Sequence, residues 1–218
     1  MDENEILKNM HDAVVEGEKE EVIKWANTAI AEGANPVKAI QQGLTPAITK
    51  VGDGFAVGRI FLPQLVMCAE AMKAGSAILE EEIVRQGLEG KTSLGRIVIG
   101  TVAGDVHDIG KSLVSTILTA EGFDVIDLGT NVSSERFIAV TKDKSPDIIG
   151  LSALLTTTIR EQRHVIEALV ESGLRDQVKV IVGGGAVTPE FAESIGADGY
   201  GADAIEAVRL AKAIIQAD

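Results

Sequence analysis

The sequence predicts an α + α/β chain: a helical bundle over residues 1–90, followed by an α/β domain over residues 91–218. In the first part, apolar residues recur at helical spacing and are interrupted mainly by proline signals. From about residue 91, short apolar runs typical of strands alternate with amphipathic stretches. That alternation predicts a flavodoxin-like (Rossmann-like) fold with a five-stranded parallel sheet. A short polar segment, 89–93, separates the two parts and is the predicted hinge.

Three- and four-residue steps between apolar residues predict the first helices of the bundle. The residues concerned are Ile6, Leu7, Met10 and Val14, then Val22, Ile23, Ala26 and Ile30, with Gly33 as a stop. The pairs Asn35-Pro36 and Thr45-Pro46 each have the form of an N-cap followed by a first-turn proline. Pro63 opens a long helix that runs to about Gln86.

A glycine-rich segment, 51–62, is predicted to connect two helices of this bundle. Its residues Phe55 and Leu62 are assigned by spacing alone to the bundle core. Met67 and Met72, in the next helix, are predicted to fill the same core, since methionine adapts to irregular gaps.

The second part has five predicted strands and five predicted helices. The strands are 96–101, 123–128, 147–152, 178–182 and a short one near 199–200; the helices are about 111–121, 134–144, 158–172, 189–195 and 203–217. Ser134, Thr188 and Asp203 are the predicted N-caps. Runs such as Ile-Val-Ile and Val-Ile-Val indicate strands buried on both faces, as in a parallel sheet covered by helices.

Composition excludes several classes of function. The net charge of −13 argues against nucleic acid or an anionic membrane as the main partner. The single cysteine, Cys68, cannot form an internal disulfide, which favours a reducing cytoplasm. The acidic N-terminus has no signal-peptide pattern, and no apolar run reaches the roughly 18 residues of a membrane helix. We therefore expect a soluble, cytoplasmic protein.

Three loops should converge at the carboxyl edge of the sheet, where open α/β sheets bind ligands. They are Asp105–Gly110, Ser152–Thr158 and 183–186, the last containing three glycines. In the first loop, His107 is a candidate metal ligand, and Asp105 can orient its second ring nitrogen. The glycines let a ligand approach the backbone closely.

Other interpretations of these loops remain open. His107 can be an ordinary loop histidine, the threonines can cap a helix, and the glycines can form a tight turn. The residues Gly110-Lys111-Ser112 resemble the end of a phosphate-binding loop. That motif requires four residues between its glycines, whereas five lie between Gly104 and Gly110.

The order and spacing of these motifs resemble the cobalamin-binding signature D-x-H-x-x-G, S-x-L, G-G. Here the matching residues are Asp105, His107, Gly110, Ser152, Leu154, Gly184 and Gly185, with 41 residues (111 to 151) in the first gap and 29 (155 to 183) in the second. The stretch from Gly52 to Met72 is similar to the helical cap domain of methylcobalamin proteins, including methionine synthase. Both parts of the chain thus resemble the corrinoid methyl-carrier proteins of methylamine and methanol methyltransferase systems.

The resemblance implies a bound cobalamin or related corrinoid in the base-off state. His107 would be the lower axial ligand of cobalt, Asp105 would accept its other N–H, and Thr158 occupies the position of a serine that extends this relay. The remaining cofactor-binding residues that the resemblance implies are Asp108, Ile109, Gly110, Ser152, Leu154, Thr156, Gly184 and Gly185. In the cap domain, Phe55 and Leu62 would shield the methyl group.

The function that the resemblance implies is methyl transfer on cobalt, in methanogenesis or one-carbon metabolism. A substrate-specific methyltransferase would load the methyl group, and a second one would pass it to coenzyme M or tetrahydrofolate. A reductive activase is a further candidate partner. The chain would be the methyl-carrying subunit of such a system rather than a complete enzyme. The alternatives are a cobalamin-dependent sensor or regulator and a subunit of an adenosylcobalamin mutase.

Overall fold

A computed structural model describes residues 2–86 and 93–217. By their contacts the residues form two compact units: Met1–Leu94 with Thr119–Gly122, and Gly95–Leu118 with Phe123–Asp218. Of the predicted hinge, 89–93, all but Ser93 lies outside the described residues, so the boundary at 90/91 stays a prediction. Within the described ranges, no helix combines the length and apolar character needed to cross a membrane.

The described part of the first unit is helical. Its elements are α1 (Glu3–Glu16), α2 (Lys19–Ala31), α3 (Pro36–Lys38), a π-helical turn (Ala39–Leu44), α4 (Thr45–Ala56) and α5 (Leu62–Gln86). Asn35 caps α3 as predicted, because its side chain accepts the backbone N–H of Lys38 at 3.1 Å. Thr45 is not an N-cap: the chain is already helical from Pro36 onward, so no free N–H groups await a cap there.

The core of this unit includes most of the apolar residues predicted from periodicity. Ile6, Met10, Val22 and Leu65 are fully buried, whereas Ile23 and Ile30 are only partly buried. Leu79, which was not predicted, is also fully buried. Two predictions in this region are wrong. Residues 51–56 belong to α4, so only 57–61 connect α4 to α5. Met72 is buried as expected, but Met67 is 54% exposed because it lies on another face of α5.

The second unit has the predicted alternation of strands and helices. Its elements are β1 (Arg96–Thr101), α6 (Ile109–Ala120), β2 (Asp124–Asp127), α7 (Ser134–Lys144), β3 (Ile148–Ser152), α8 (Ile159–Glu171), a 3-10 turn (Arg175–Gln177), β4 (Lys179–Gly183), α9 (Pro189–Ser194), β5 (Gly199–Gly201) and α10 (Ala204–Ala217). All pairings are parallel, in the order β2-β1-β3-β4-β5. This confirms the flavodoxin-like prediction.

The caps of this unit agree with the sequence at two positions of three. Thr188 accepts the N–H of Phe191 at 3.2 Å, and Asp203 accepts that of Glu206 at 2.8 Å. The cap of α7 is Ser133 rather than the predicted Ser134, because Ser133 has the extended backbone that a capping residue requires, with φ −75° and ψ 158°.

The chain order of the strands fixes where a ligand site can form. β1 lies between β2 and β3, so the connections after β1 and β3 leave the sheet in opposite directions. Open α/β sheets bind ligands at such a switch point, at the carboxyl ends of the strands. The loops that carry His107 and Thr158 are those that follow β1 and β3.

Candidate functional site

Asp105 and His107 form a hydrogen-bonded pair in the loop after β1. Asp105 is fully buried, whereas the His107 side chain is 47% exposed. Their atoms Oδ1 and Nδ1 lie 2.7 Å apart, and the same Oδ1 accepts the backbone N–H of His107 at 3.0 Å. A carboxylate accepts a proton donor, so Nδ1 carries the hydrogen and Nε2 keeps its lone pair. No hydrogen bond among the described residues uses Nε2.

The loop after β3 supplies the other half of the Asp105 environment. The backbone N–H of Leu154 donates to Oδ2 at 2.8 Å, and the hydroxyl of Thr158 lies 2.7 Å from the same oxygen. Burial alone would raise the pKa of Asp105. The hydrogen bonds from Thr158, from the backbone N–H groups of His107 and Leu154, and from the imidazole outweigh it and hold the pKa well below its usual range.

Thr158 therefore uses its hydroxyl to reach Asp105 rather than to cap a helix. It directly precedes α8, yet its side chain makes no capping hydrogen bond there. Its oxygen also lies 3.0 Å from the carbonyl of Leu155 and accepts the Leu155 N–H at 3.3 Å. The resemblance implied a relay from Asp105 to position 158, where a threonine replaces the usual serine. The Thr158 hydroxyl makes this hydrogen bond to Asp105.

Thr158→Val is expected to weaken this arrangement, because it removes a donor to a buried carboxylate without changing the shape of the side chain much. An unsatisfied buried acceptor typically costs about 1–3 kcal/mol, so we expect a loss of that order in the free energy of unfolding, measured in urea. Thr158→Ser, which keeps the hydroxyl, is the control. Equal stability of the valine and serine variants would contradict the role of the hydroxyl.

Two residues that were not predicted from the sequence form hydrogen bonds with the loop that contains His107. The Thr101 hydroxyl, at the end of β1, donates to the carbonyl of His107 at 3.0 Å. The Asn131 side chain accepts the N–H of Gly104 at 2.8 Å, and its backbone N–H donates to the carbonyl of Asp105 at 2.9 Å. The sequence signal for Thr101 was its position as a polar residue at the end of an apolar strand. Asn131 has φ +54°, a conformation that asparagine tolerates better than most residues.

Lys111 is a buried lysine that pairs with two partly exposed carboxylates, which argues against the phosphate-loop interpretation. Its side chain is 1% exposed, and its Nζ lies 2.7 Å from Asp108 and 2.5 Å from Asp127. Ser112 donates to the other oxygen of Asp108 at 2.7 Å. The hydrogen bond from Lys111 lowers the pKa of Asp108 most. The ammonium is thus already paired with two carboxylates, which would also repel a phosphate.

A cavity of about 210 Å³ lies between the sheet and the helices α6 and α10. Four predicted residues line it: Gly110, Ser152, Gly184 and Gly185. A Cβ added to Gly110 would meet nothing within 4 Å, so this residue faces open space. Gly184 has φ +122°, and a Cβ there would lie 1.9 Å from the carbonyl oxygen of Ala153. Position 184 thus requires a glycine because two loops approach each other closely there. The same residue also lines the cavity.

The other predicted residues lie outside the cavity lining. Asp108 pairs with Lys111, and Leu154 contributes its backbone N–H to Asp105. Ile109, the first residue of α6, is 91% exposed, and Thr156 is an exposed turn residue. In the first unit, Phe55 is half-buried on α4, and Leu62 is 41% exposed at the start of α5. Leu62 is therefore not the buried core residue that spacing alone predicted.

The single histidine nitrogen suits a metal ion whose other ligands come from a cofactor rather than from the protein. Among the described residues, no group of three or more His, Cys, Asp or Glu side chains is arranged to hold a bare ion. His107 offers one oriented nitrogen, backed by Asp105, beside a largely apolar cavity. A corrinoid fits both features, because its macrocycle supplies the equatorial ligands of cobalt and its nucleotide tail needs a slot. Asp105, Thr158 and the cavity would then hold the histidine and the tail.

Comparison with known proteins agrees with this geometry. Profiles described as B12 binding domain match residues 95–209 and 6–80. The chain is 45% identical to a corrinoid protein of Desulfitobacterium hafniense, over 96% of this chain and 97% of that one. It is also 45% identical to the dimethylamine corrinoid protein of Methanosarcina barkeri, over 99% and 100% of the two chains.

Solved structures give the same result. The methanol:cobalamin methyltransferase complex MtaBC of Methanosarcina barkeri matches with a TM-score of 0.84 at 33% identity, covering all of this chain and 82% of the other. The monomethylamine corrinoid protein of the same species matches with a TM-score of 0.53 at 34% identity, covering 98% and 100%. With two B12-binding profiles matched and relatives this similar along nearly its whole length, the chain belongs to the family of cobalamin-binding corrinoid proteins.

Proposed function

We propose that this protein carries a methyl group on the cobalt of a bound corrinoid, between a substrate-specific methyltransferase and a second methyltransferase. When bound, the corrinoid supplies a cobalt ion that can accept and release a methyl group. The observation that carries the proposal is the outward-facing Nε2 of His107, with Nδ1 fixed by a buried carboxylate 2.7 Å away. The relatives named as dimethylamine and trimethylamine corrinoid proteins support the choice of reaction.

His107 would bind the corrinoid as the lower axial ligand, in the base-off state. Asp105 holds the proton on Nδ1, so that the Nε2 lone pair points outward, and the four donors around Asp105 keep that carboxylate ionised. Such outer partners of a metal-binding histidine typically contribute 10- to 100-fold in affinity or activity. The corrinoid's displaced nucleotide tail would occupy the cavity lined by Gly110, Ser152 and the glycines after β4.

The partners would be the two methyltransferases, with a reductive activase as a third. The net charge of −13 favours partners with basic docking surfaces, so complex formation should weaken as salt is raised. The donor would be a methylamine, methanol or a similar methyl compound, and the acceptor coenzyme M or tetrahydrofolate. The single cysteine favours a cytoplasmic location.

The proposal is tested by methyl transfer to the reconstituted protein. Corrinoid-loaded protein is reduced without oxygen and incubated with purified methyltransferases for trimethylamine, dimethylamine, monomethylamine or methanol, each with its isotopically labelled substrate. We expect label to bind the protein with one of these pairs and to be released by light, which cleaves methyl–cobalt bonds. Protein that binds corrinoid but takes up no label from any pair would contradict the carrier role.

Phe55→Ala is expected to expose a methyl group bound to the corrinoid, if Phe55 shields it as the resemblance implies. Removing a half-buried aromatic side chain should admit water and speed photolysis of methylcobalamin on the protein. The rate is measured by absorption during steady illumination. Phe61→Ala is the matched control, since Phe61 is an exposed phenylalanine in the same segment. Unchanged photolysis in Phe55→Ala would assign this residue to the bundle core alone.

A further inference from the structure

The lining of the 210 Å³ cavity is polar in one part and apolar in another. Its polar lining residues include Lys111, Ser152 and Asp203. Its apolar lining includes Val114 of α6, Ala207 of α10 and the sheet residues Gly150 and Ile181. These four residues also line a second, small cavity of about 30 Å³, together with other apolar residues such as Leu118 and Ile148. We call this shared region the apolar end of the cavity.

The apolar end of the cavity offers no free hydrogen-bonding groups among the described residues that line it. Its side chains are hydrocarbon. Its sheet residues Ile99, Gly150 and Ile181 pair with one another across β1, β3 and β4 and so lie within the ladder of the sheet. Among the polar lining residues, the Lys111 amine is held by Asp108 and Asp127, and Asp203 accepts the N–H of Glu206.

We propose that this slot selects among corrinoids by the base at the end of their nucleotide tail: it takes flat apolar bases, benzimidazoles or phenols, and disfavours purines. This inference rests on the proposed function, because it requires the tail to enter the cavity. Benzimidazole and phenol rings present mostly carbon edges to the walls. Adenine presents an amino group and several ring nitrogens, which would lose their water without gaining partners.

The size of the effect follows from that lost hydration. A buried polar group without a partner typically weakens binding by about 10- to 100-fold, and only part of the adenine edge must be buried for this cost to apply. A corrinoid with an adenine tail should therefore bind about 10- to 100-fold more weakly than one with a phenolic tail.

The test uses the full-length protein and four purified corrinoids: cobalamin, a p-cresol cobamide, an adenine cobamide and cobinamide, which has no nucleotide tail. Dissociation constants are measured by equilibrium dialysis. We expect cobalamin and the cresol cobamide to bind tightly and the adenine cobamide to approach cobinamide. Equal affinity of the adenine and cresol cobamides would overturn the inference, as would cobinamide binding as tightly as cobalamin. If none of the four binds, it is the proposed function that fails.

A variant that fills the slot gives a second test. Ala207→Leu places a larger side chain at the apolar end of the cavity, so it should weaken cobalamin binding at least about 10-fold and leave cobinamide binding unchanged. Retained cobinamide binding also shows that the variant is folded. Ala213→Leu, at an exposed position of the same helix, is the matched control. Wild-type affinity of Ala207→Leu for cobalamin would place the tail outside the cavity and overturn the inference.

Discussion

His107→Ala is expected to abolish axial ligation of the bound corrinoid while leaving the fold intact. The side chain is half-exposed and its ring contacts Asp105, which keeps three other hydrogen-bond donors in the variant. The affinity for cobinamide should fall by more than the 10- to 100-fold that is typical for loss of an outer partner, because His107 is the proposed ligand itself. Binding is measured by dialysis, and ligation by the absorption and electron paramagnetic resonance spectra of the bound corrinoid.

The matched control for this variant is His164→Ala. His164 also lies in the second unit, is half-exposed and contacts a carboxylate, that of Glu161, at 3.0 Å. Its loss should change neither the spectrum nor the affinity. A cobalt spectrum in His107→Ala identical to that of the wild type would rule out His107 as the axial ligand, whatever its effect on affinity.

Gly184→Ala is expected to cause the largest loss of stability of any single methyl addition in the second unit. The backbone at Gly184 has φ +122°, and the new Cβ would lie 1.9 Å from the carbonyl oxygen of Ala153. The two loops cannot easily separate, because the N–H of Ala153 donates to the carbonyl of Gly183 at 3.1 Å. We expect the free energy of unfolding in urea to fall by at least about 3 kcal/mol.

Gly196→Ala separates the two causes of that loss. Gly196 also has a positive φ, +74°, but a Cβ there would meet nothing within 4 Å. Its replacement should cost only the conformational term, about 1 kcal/mol. Equal losses in both variants would show that the contact with Ala153 carries no cost. Leu154, which follows Ala153 in the chain, donates its backbone N–H to Asp105. Because Gly184→Ala would displace Ala153, it should also weaken corrinoid binding.

The strands of the second unit could be predicted from the sequence because burial on both faces leaves continuous apolar runs. The predicted β1, 96–101, coincides with the observed strand, and each of the others differs by at most one residue at an end. Elements were less predictable where local signals competed. Thr45-Pro46 has the form of a helix start, yet α3, the π-helical turn and α4 follow one another without a break. Gly52 and Gly54 indicated a connector, but packing keeps them in α4.

The contacts of the site could be predicted where both residues belong to one short motif. They could not be predicted where the residues lie far apart in the sequence. Asp105 and His107 lie two residues apart, so their hydrogen bond is a local event. Leu154 donates to Asp105 from 49 residues away, and the Asn131 side chain accepts the N–H of Gly104 from 27 residues away. These residues become neighbours only when the parallel sheet forms. The pairing of Lys111 with Asp127 depends in the same way on the position of β2 beside β1. Sequence spacing alone does not encode such contacts.

The four hydrogen bonds that the Asp105 carboxylate accepts have a consequence for protein engineering. Copying the segment from Asp105 to Gly110 onto another parallel sheet would bring the carboxylate without the N–H of Leu154 and the hydroxyl of Thr158. The carboxylate would then be buried with half of its donors missing, and it would tend to take up a proton and release the imidazole. A histidine transplanted as a proposed cobalt ligand needs both loops, so the pair of loops is the smallest unit that can be moved.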